Sequence, residues 1–130
     1  MNSRPLVAMD YAALQVAMDK DPFHPGEWKV SHFEGQCAEV FEDLKGPVVY
    51  VLYTGHGETG LRISTVWNDS LDVHRNARAI VFLVRQTADR ARQIGIKELV
   101  FSTTHAKLAT FCSKVLGFTS KGGDEYGLLL

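Results

Sequence analysis

Between Asp72 and Phe118 the chain switches hydrophobic period twice, and few folds accommodate that switch. Ala77, Ile80, Val81, Val84, Ala88, Ala91 and Ile94 recur at intervals of three and four, which places one apolar stripe along a long helix. Gly95 ends it. A short β-prone run, Lys97 to Ser102, follows. After Thr103-Thr104-His105 comes a second helix with Leu108, Phe111, Cys112 and Val115 on one face, closed by Leu116-Gly117-Phe118. Val73 to Arg78, ahead of the main stripe, read as an irregular approach to the long helix. A helix set between two strands in this order is a βαβ unit, and 130 residues leave room for little more than one sheet built around it.

Upstream, the pattern changes to a meander. Gln36 to Leu44 alternate as a strand with one buried face, Lys45-Gly46-Pro47 turn, and Val48 to Tyr53 are almost all apolar and β-branched or aromatic, the mark of a central strand covered on both faces. Thr54 to Gly60, with three glycines, read as the next turn, and Leu61 to Trp67 as the third strand. Leu6 to Met9 suggest a short first strand. Asp10 is placed to cap a helix through Tyr11, Leu14, Ala17 and Met18, ended by Asp21-Pro22 and His24-Pro25-Gly26. Trp28, Val30 and Phe33 fit either a strand or a loop. The last strand is Glu125 to Leu130.

The totals exclude several classes of protein. With 45% hydrophobic and 22% charged residues, the chain has the composition of one folded domain spanning residues 1–130. A formal net charge of -1 removes the main electrostatic reason to expect nucleic acid as a partner. No run approaches the roughly 18 apolar residues of a membrane span, and Met1 to Pro5 lack a signal-peptide core, so a cytoplasmic protein without a membrane partner is expected. Cys37 and Cys112 lie far apart inside apolar patterns and read as small buried hydrophobes, not as a disulfide.

Candidate chemistry is sparse. His24, His32, His56, His74 and His105 show no pair at ligand spacing, so no metal is expected. Gly55-His56-Gly57 leads into a strand, whereas a phosphate cradle feeds a helix N-terminus, so it reads as a tight turn. Arg85, Arg90 and Arg92 fit a solvated helix face. Arg75 and Arg78 stand at the start of the long helix, where cations are disfavoured by the helix dipole unless an anion or carboxylate offsets them.

Two segments carry a resemblance. Ala91-Arg92-Gln93-Ile94-Gly95-Ile96-Lys97-Glu98-Leu99-Val100-Phe101 is similar to the helix that ends at a glycine and passes into the fifth strand of the GCN5-related N-acetyltransferases, the GNAT superfamily. Lys107 to Phe118 is similar to that family's closing helix and its Leu-Gly-Phe ending. The resemblance spans roughly residues 37 to 130. It implies an α+β, three-layer fold with a mixed, mostly antiparallel sheet flanked by helices. It also implies acetyl-coenzyme A as cofactor, held by amides at the start of the long helix, with the pantetheine arm in a splay between the fourth and fifth strands. An unknown small-molecule or protein amine is the implied acceptor.

The family's cofactor loop reads Arg or Gln, two residues, Gly, one residue, then Gly or Ala. From Arg75 this chain reads Arg75-Asn76-Ala77-Arg78-Ala79-Ile80, with Arg78 and Ile80 at the small positions; shifting by one from His74 keeps Ala77 and Ala79 but loses the leading residue. Arg75 to Ile80 are nevertheless the implied cofactor-binding residues. No glycine lies between Gly60 and Gly95. The usual tyrosine of the closing helix is replaced by Ser113, beside Cys112 and Phe111, and Thr104-His105 stand where an asparagine is frequent. Asp69, Asp72 and Glu58 are available as bases, and none is singled out. Gly46 to Val51, Leu61-Arg62-Ile63 and the Gly-Phe ending also resemble small GNAT-like proteins of bacteriophages. That likeness implies an alternative: a catalytically inactive GNAT-fold module with a protein partner, virion-associated if phage-encoded.

Overall fold

The computed structural model describes residues 1–22 and 29–130. Seven strands form one mixed sheet: β1 (Asn2–Pro5), β2 (Cys37–Asp43), β3 (Gly46–His56), β4 (Gly60–Trp67), β5 (Glu98–Ser102), β6 (Thr119–Gly122) and β7 (Glu125–Leu129), in the spatial order β1-β2-β3-β4-β5-β7-β6. Among the described residues only β4 and β5 pair in parallel. Their connection is the long helix α2 (Val73–Gln93), so the expected βαβ unit is the hinge between an antiparallel meander and a C-terminal group of three strands. Helices α1 (Tyr11–Lys20) and α3 (Ala106–Leu116) complete the fold.

Two apolar layers hold the sheet. On one face, α2 sets Ala79, Ile80, Leu83, Val84, Ala88 and Ala91 against Phe41, Val49, Val51, Tyr53, Ile63 and Leu99, and α3 adds Cys112. On the other, Leu14, Ala17 and Met18 of α1 and Phe33 pack on Val40, Tyr50, Leu52 and Val66. Val48 to Tyr53 are buried without a break, as a central strand between two layers requires. Gly117 closes α3 in the left-handed region at φ 81°, and this reverses the chain so that the buried Phe118 meets Phe101 edge-on at 5.0 Å. The Leu-Gly-Phe ending is therefore a helix stop with its own core anchor.

Several expectations change. The stripe of α2 lies on Ala79, Leu83 and Thr87 as well as Ile80, Val84, Ala88 and Ala91, while Ile94 is 75% exposed past the last turn. Val115 on α3 is exposed as well. The first strand is Asn2–Pro5, and Ala8–Asp10 form a 3-10 turn. Asp10 explains the shift: it stands at the N-cap of α1 as expected, but its carboxylate accepts the Val7 amide at 2.9 Å and takes both terminal nitrogens of Arg4 at 2.7 and 2.9 Å, so its side chain fastens the 3-10 turn and gives α1 no hydrogen bond. Val30–Phe33 is a second 3-10 turn, whereas Trp28 and His24-Pro25-Gly26 lie outside the described residues. Residues 54–56 extend β3 instead of starting a turn, and β6 is a strand the sequence did not suggest. Cys37 is exposed on the outward-turned start of β2, Cys112 is buried, and both thiols are free.

Candidate functional site

β4 and β5 are paired over three positions only, Gly60 with Glu98, Leu61 with Leu99 and Arg62 with Val100. Both strands continue, β4 to Trp67 and β5 to Ser102, without further pairing to each other. The sheet is split there. Ile63 and Thr65 line its floor together with Phe101, Leu108, Cys112 and Phe118. Burial pushes the Cys112 thiol up to about 12, so it stays protonated and acts as packing.

Above the split, the first turns of α2 and α3 approach each other across a cavity of about 290 Å³. Trp67, Val73, Ala77, Ile80, Leu108 and Phe111 supply apolar walls, and Ser70, Asn76, His105 and Lys107 supply polar groups. His105 caps α3 through Nδ1, which accepts the Leu108 amide at 3.4 Å, and its own amide is tied to Thr103 Oγ1 at 3.0 Å. Since Nδ1 is the acceptor, the neutral ring keeps its proton on Nε2.

The start of α2 is regular helix, not an irregular loop. Asp72 is its N-cap and accepts the Arg75 amide at 3.3 Å through Oδ1 and the Asn76 amide at 3.0 Å through its carbonyl. The amides of Asp72 and Val73 bond to the carbonyls of Asp69 and Leu71. Of the four amides a helix start leaves over, His74 alone lacks a partner among the described residues. The amides of Asn76, Ala77, Arg78, Ala79 and Ile80, expected to face an anion, follow these four. They lie inside α2, where carbonyls four residues back take them.

The side chains of the same stretch divide. Asn76, Ala77 and Ile80 line the cavity, Ile80 at 6% exposure forming both its floor and part of the core. Arg78 is exposed and turns to a shallower hollow beside Val81, Phe82 and Arg85, so it does not plug the cavity. Arg75 leaves the site altogether. Its Nε and Nη2 donate to the two oxygens of Asp43 at 2.7 and 2.8 Å, and Nη2 also reaches the Gly46 carbonyl at 2.9 Å. This forked pair holds the Asp43 carboxyl well below the usual carboxylate range. The anion that a cation at the helix start called for is thus Asp43, the last residue of β2.

None of Glu58, Asp69, Asp72 or Ser113 lines the cavity. Asp69 and Asp72 shape the loop: Asp69 Oδ1 accepts the Leu71 amide at 3.0 Å, and its carbonyl accepts Asn76 Nδ2 at 2.8 Å. Trp67 and Lys107, which do line it, had no motif to mark them, because each reads as strand end or surface helix.

No family model matches the chain, and no curated protein matches it in sequence. Solved structures do match over nearly the whole length. An N-acetyltransferase from Staphylococcus aureus Mu50 superposes with a TM-score of 0.70 at 15% identity, covering 99% of both chains. A GCN5-related N-acetyltransferase from Kribbella flavida gives 0.72 at 14% identity, over 99% of this chain and 97% of that one. A spermidine N-acetyltransferase chimera of SpeG from Vibrio cholerae and hSSAT gives 0.75 at 12% identity, over 99% and 96%. The fold is the GNAT fold, a mixed sheet of seven strands flanked by helices. Among the described residues no helix is long and apolar enough to cross a membrane.

Proposed function

We propose that the chain binds a coenzyme A thioester in the cleft between α2 and α3 and is an N-acetyltransferase acting on an amine. The observation that carries this reading is the opening of β4 from β5 beyond Arg62 and Val100, because it leaves strand edges unpaired at the foot of an apolar cleft. An unpaired strand edge offers peptide groups to an extended, amide-bearing arm, as a further strand would. When bound, the thioester supplies the acyl group. Ile63 and Thr65 would flank its arm, Trp67, Ile80 and Phe111 would exclude water, and Lys107 with the His74 amide would meet the phosphates. The fold likeness supports the same reading. Acetyl-coenzyme A is the proposed cofactor, and the cytoplasm the proposed location.

A specific observation favours a second reading, a catalytically inactive GNAT-fold module that binds a protein partner, virion-associated if phage-encoded. No carboxylate or tyrosine lines the cleft among the described residues, and the amides expected to cradle pyrophosphate are spent within α2. Thermal denaturation with and without acetyl-coenzyme A separates the two. Ligand at 100 times its dissociation constant adds about 2.7 kcal/mol of stability, so the transferase reading expects a clear rise in midpoint. No rise at millimolar cofactor overturns it and leaves the inactive module.

A further inference from the structure

The split between β4 and β5 is bridged on the sheet face turned away from α2 and α3. Side chains alternate along a strand, so Tyr53, Ile63, Phe101 and Tyr126 meet the layer under those helices, while His56, Arg62, Ser102 and Glu125 point to the opposite face. Arg62 is the last residue of β4 paired with β5. Its Nη1 donates to Ser102 Oγ at 2.9 Å, and Nη2 donates to Glu125 Oε1 and to His56 Nδ1, the latter at 3.3 Å. One side chain on β4 thus joins β3, β5 and β7.

These bonds reach past the point where the backbones part. Ser102 lies two residues beyond Val100, the last β5 partner of β4, and faces Glu125 across the β5–β7 ladder. Among the described residues no other side chain of β4 forms a hydrogen bond to β5 or β7. On the helix side, Phe101, Leu108 and Phe118 crowd the gap, with Phe118 edge-on to Phe101 at 5.0 Å. That wedge sets how close the strands come, and the Arg62 bonds set how far they part.

An arginine suits such a tie, because its planar fork reaches several acceptors at fixed angles. The Arg62 hydrogen bond holds the Glu125 carboxyl below its ordinary value, so the pair stays charged at neutral pH. Arg62 and Glu125 offset each other, which makes the cluster a fastening and not a ligand site. Their side chains are 28% and 32% exposed, so the pair adds little to global stability. Its effect is local.

We propose that Arg62 is a positioning residue that fixes the width of the β4–β5 slot from the far face of the sheet and so presets it for the coenzyme arm. The inference rests on the transferase reading and adds to it a residue that governs the site without touching the ligand. Without the tie, the upper ends of β5 and β7 move freely against β4, and only a fraction of molecules hold the slot at its binding width. Affinity falls with that fraction, through slower association, because the ligand enters the competent form alone.

The test compares wild type with Arg62→Met, which keeps the apolar stem and loses the fork, and with the charge-reversed double variant Arg62→Glu and Glu125→Arg. Acetyl-coenzyme A binding is followed by stopped flow, and hydrogen exchange is read on the unliganded chain. In Arg62→Met, association is expected to slow about tenfold with dissociation unchanged, as a competent fraction of about one tenth requires. The urea midpoint stays close to wild type. Exchange is expected to quicken across Leu99 to Ser102 and to stay unchanged across Val49 to Leu52. The double variant restores the association rate, a rescue that follows from the tie and not from either residue alone. Arg62→Lys serves if Arg62→Met does not fold, and is expected to slow association by a smaller factor. Unchanged association in Arg62→Met, or a loss carried by faster dissociation, overturns the positioning role and leaves the transferase reading standing. A wild type that binds no acetyl-coenzyme A overturns the transferase reading, and the exchange arm still decides the tie: quicker exchange across Leu99 to Ser102 upholds it, and unchanged exchange overturns it.

Discussion

The lower and upper parts of the β4–β5 seam differ in kind although the strands themselves do not. Below, Gly60 to Arg62 pair with Glu98 to Val100, and Leu99 and Val100 are fully buried. Above, Ile63 to Trp67 and Phe101 to Ser102 diverge, and the gap between them is walled by Ile80, Leu108 and Phe118 from α2, α3 and the turn after α3. The lower part is a sheet, and the upper part is a helix-lined slot that happens to be floored by strands. Stability should therefore concentrate below and ligand binding above.

Substitutions on β5 sharpen that division. Leu99→Ala removes a fully buried side chain from the paired half, and a loss of about 2–5 kcal/mol is expected in urea denaturation. Phe101→Leu acts on the divergent half, where the ring stacks on Tyr126 at 5.4 Å and meets Phe118 edge-on at 5.0 Å. It keeps most of the volume, so about 1–2 kcal/mol is expected. A larger loss at Phe101 than at Leu99 would mean that the open half carries the fold and that the proposed division is reversed.

A third substitution targets the slot itself. Ala77 lines the cleft at partial exposure, so phenylalanine can fill the cavity with little disturbance of the core. Ala77→Phe is expected to weaken acetyl-coenzyme A binding at least about tenfold, which corresponds to about 1.4 kcal/mol, while the denaturation midpoint stays close to wild type. Unchanged affinity in a variant of unchanged stability would place the ligand elsewhere.

What the sequence revealed follows the same division. The paired elements were legible, because Val48 to Tyr53, the α2 stripe and Gly95 and Gly117 each act through local periodicity or backbone conformation. The slot was not legible in the residues themselves, because a strand that parts from one neighbour beyond Arg62 keeps the composition of one that stays paired; only the GNAT resemblance implied a splay between the fourth and fifth strands. Arg75 illustrates the limit. Its place at a helix start suggested a bound anion, yet the partner is Asp43, 32 residues earlier, and only the tertiary path of the β2–β3 turn brings the two together. Arg62 entered only within Leu61-Arg62-Ile63, and nothing in that run pointed to its partners, which come from three other strands.

The smallest expected effect concerns how the start of α2 is fastened beside the slot. Hydrogen bonds from Arg75 lower the Asp43 carboxyl, and hydrogen bonds from Arg4 lower that of Asp10 on the far edge of the sheet. A carboxyl with a depressed folded-state value contributes stability that is fully present above its unfolded value, near 4, and is lost as pH falls through the folded value. Wild-type stability should therefore decline below about pH 4. Asp43→Asn removes one of the lowered carboxyls, so the urea midpoint should fall less between pH 5 and pH 3 than in wild type, from a lower starting point at pH 7. Hydrogen exchange adds the local test: at pH 7 the variant should lose protection in the first turns of α2 ahead of Leu83 and Val84, which the core holds directly. An acid limb as steep as wild type, with α2 protected from end to end, would show that the helix start beside the slot is held by Asp72 alone and that the Arg75–Asp43 pair is incidental to it.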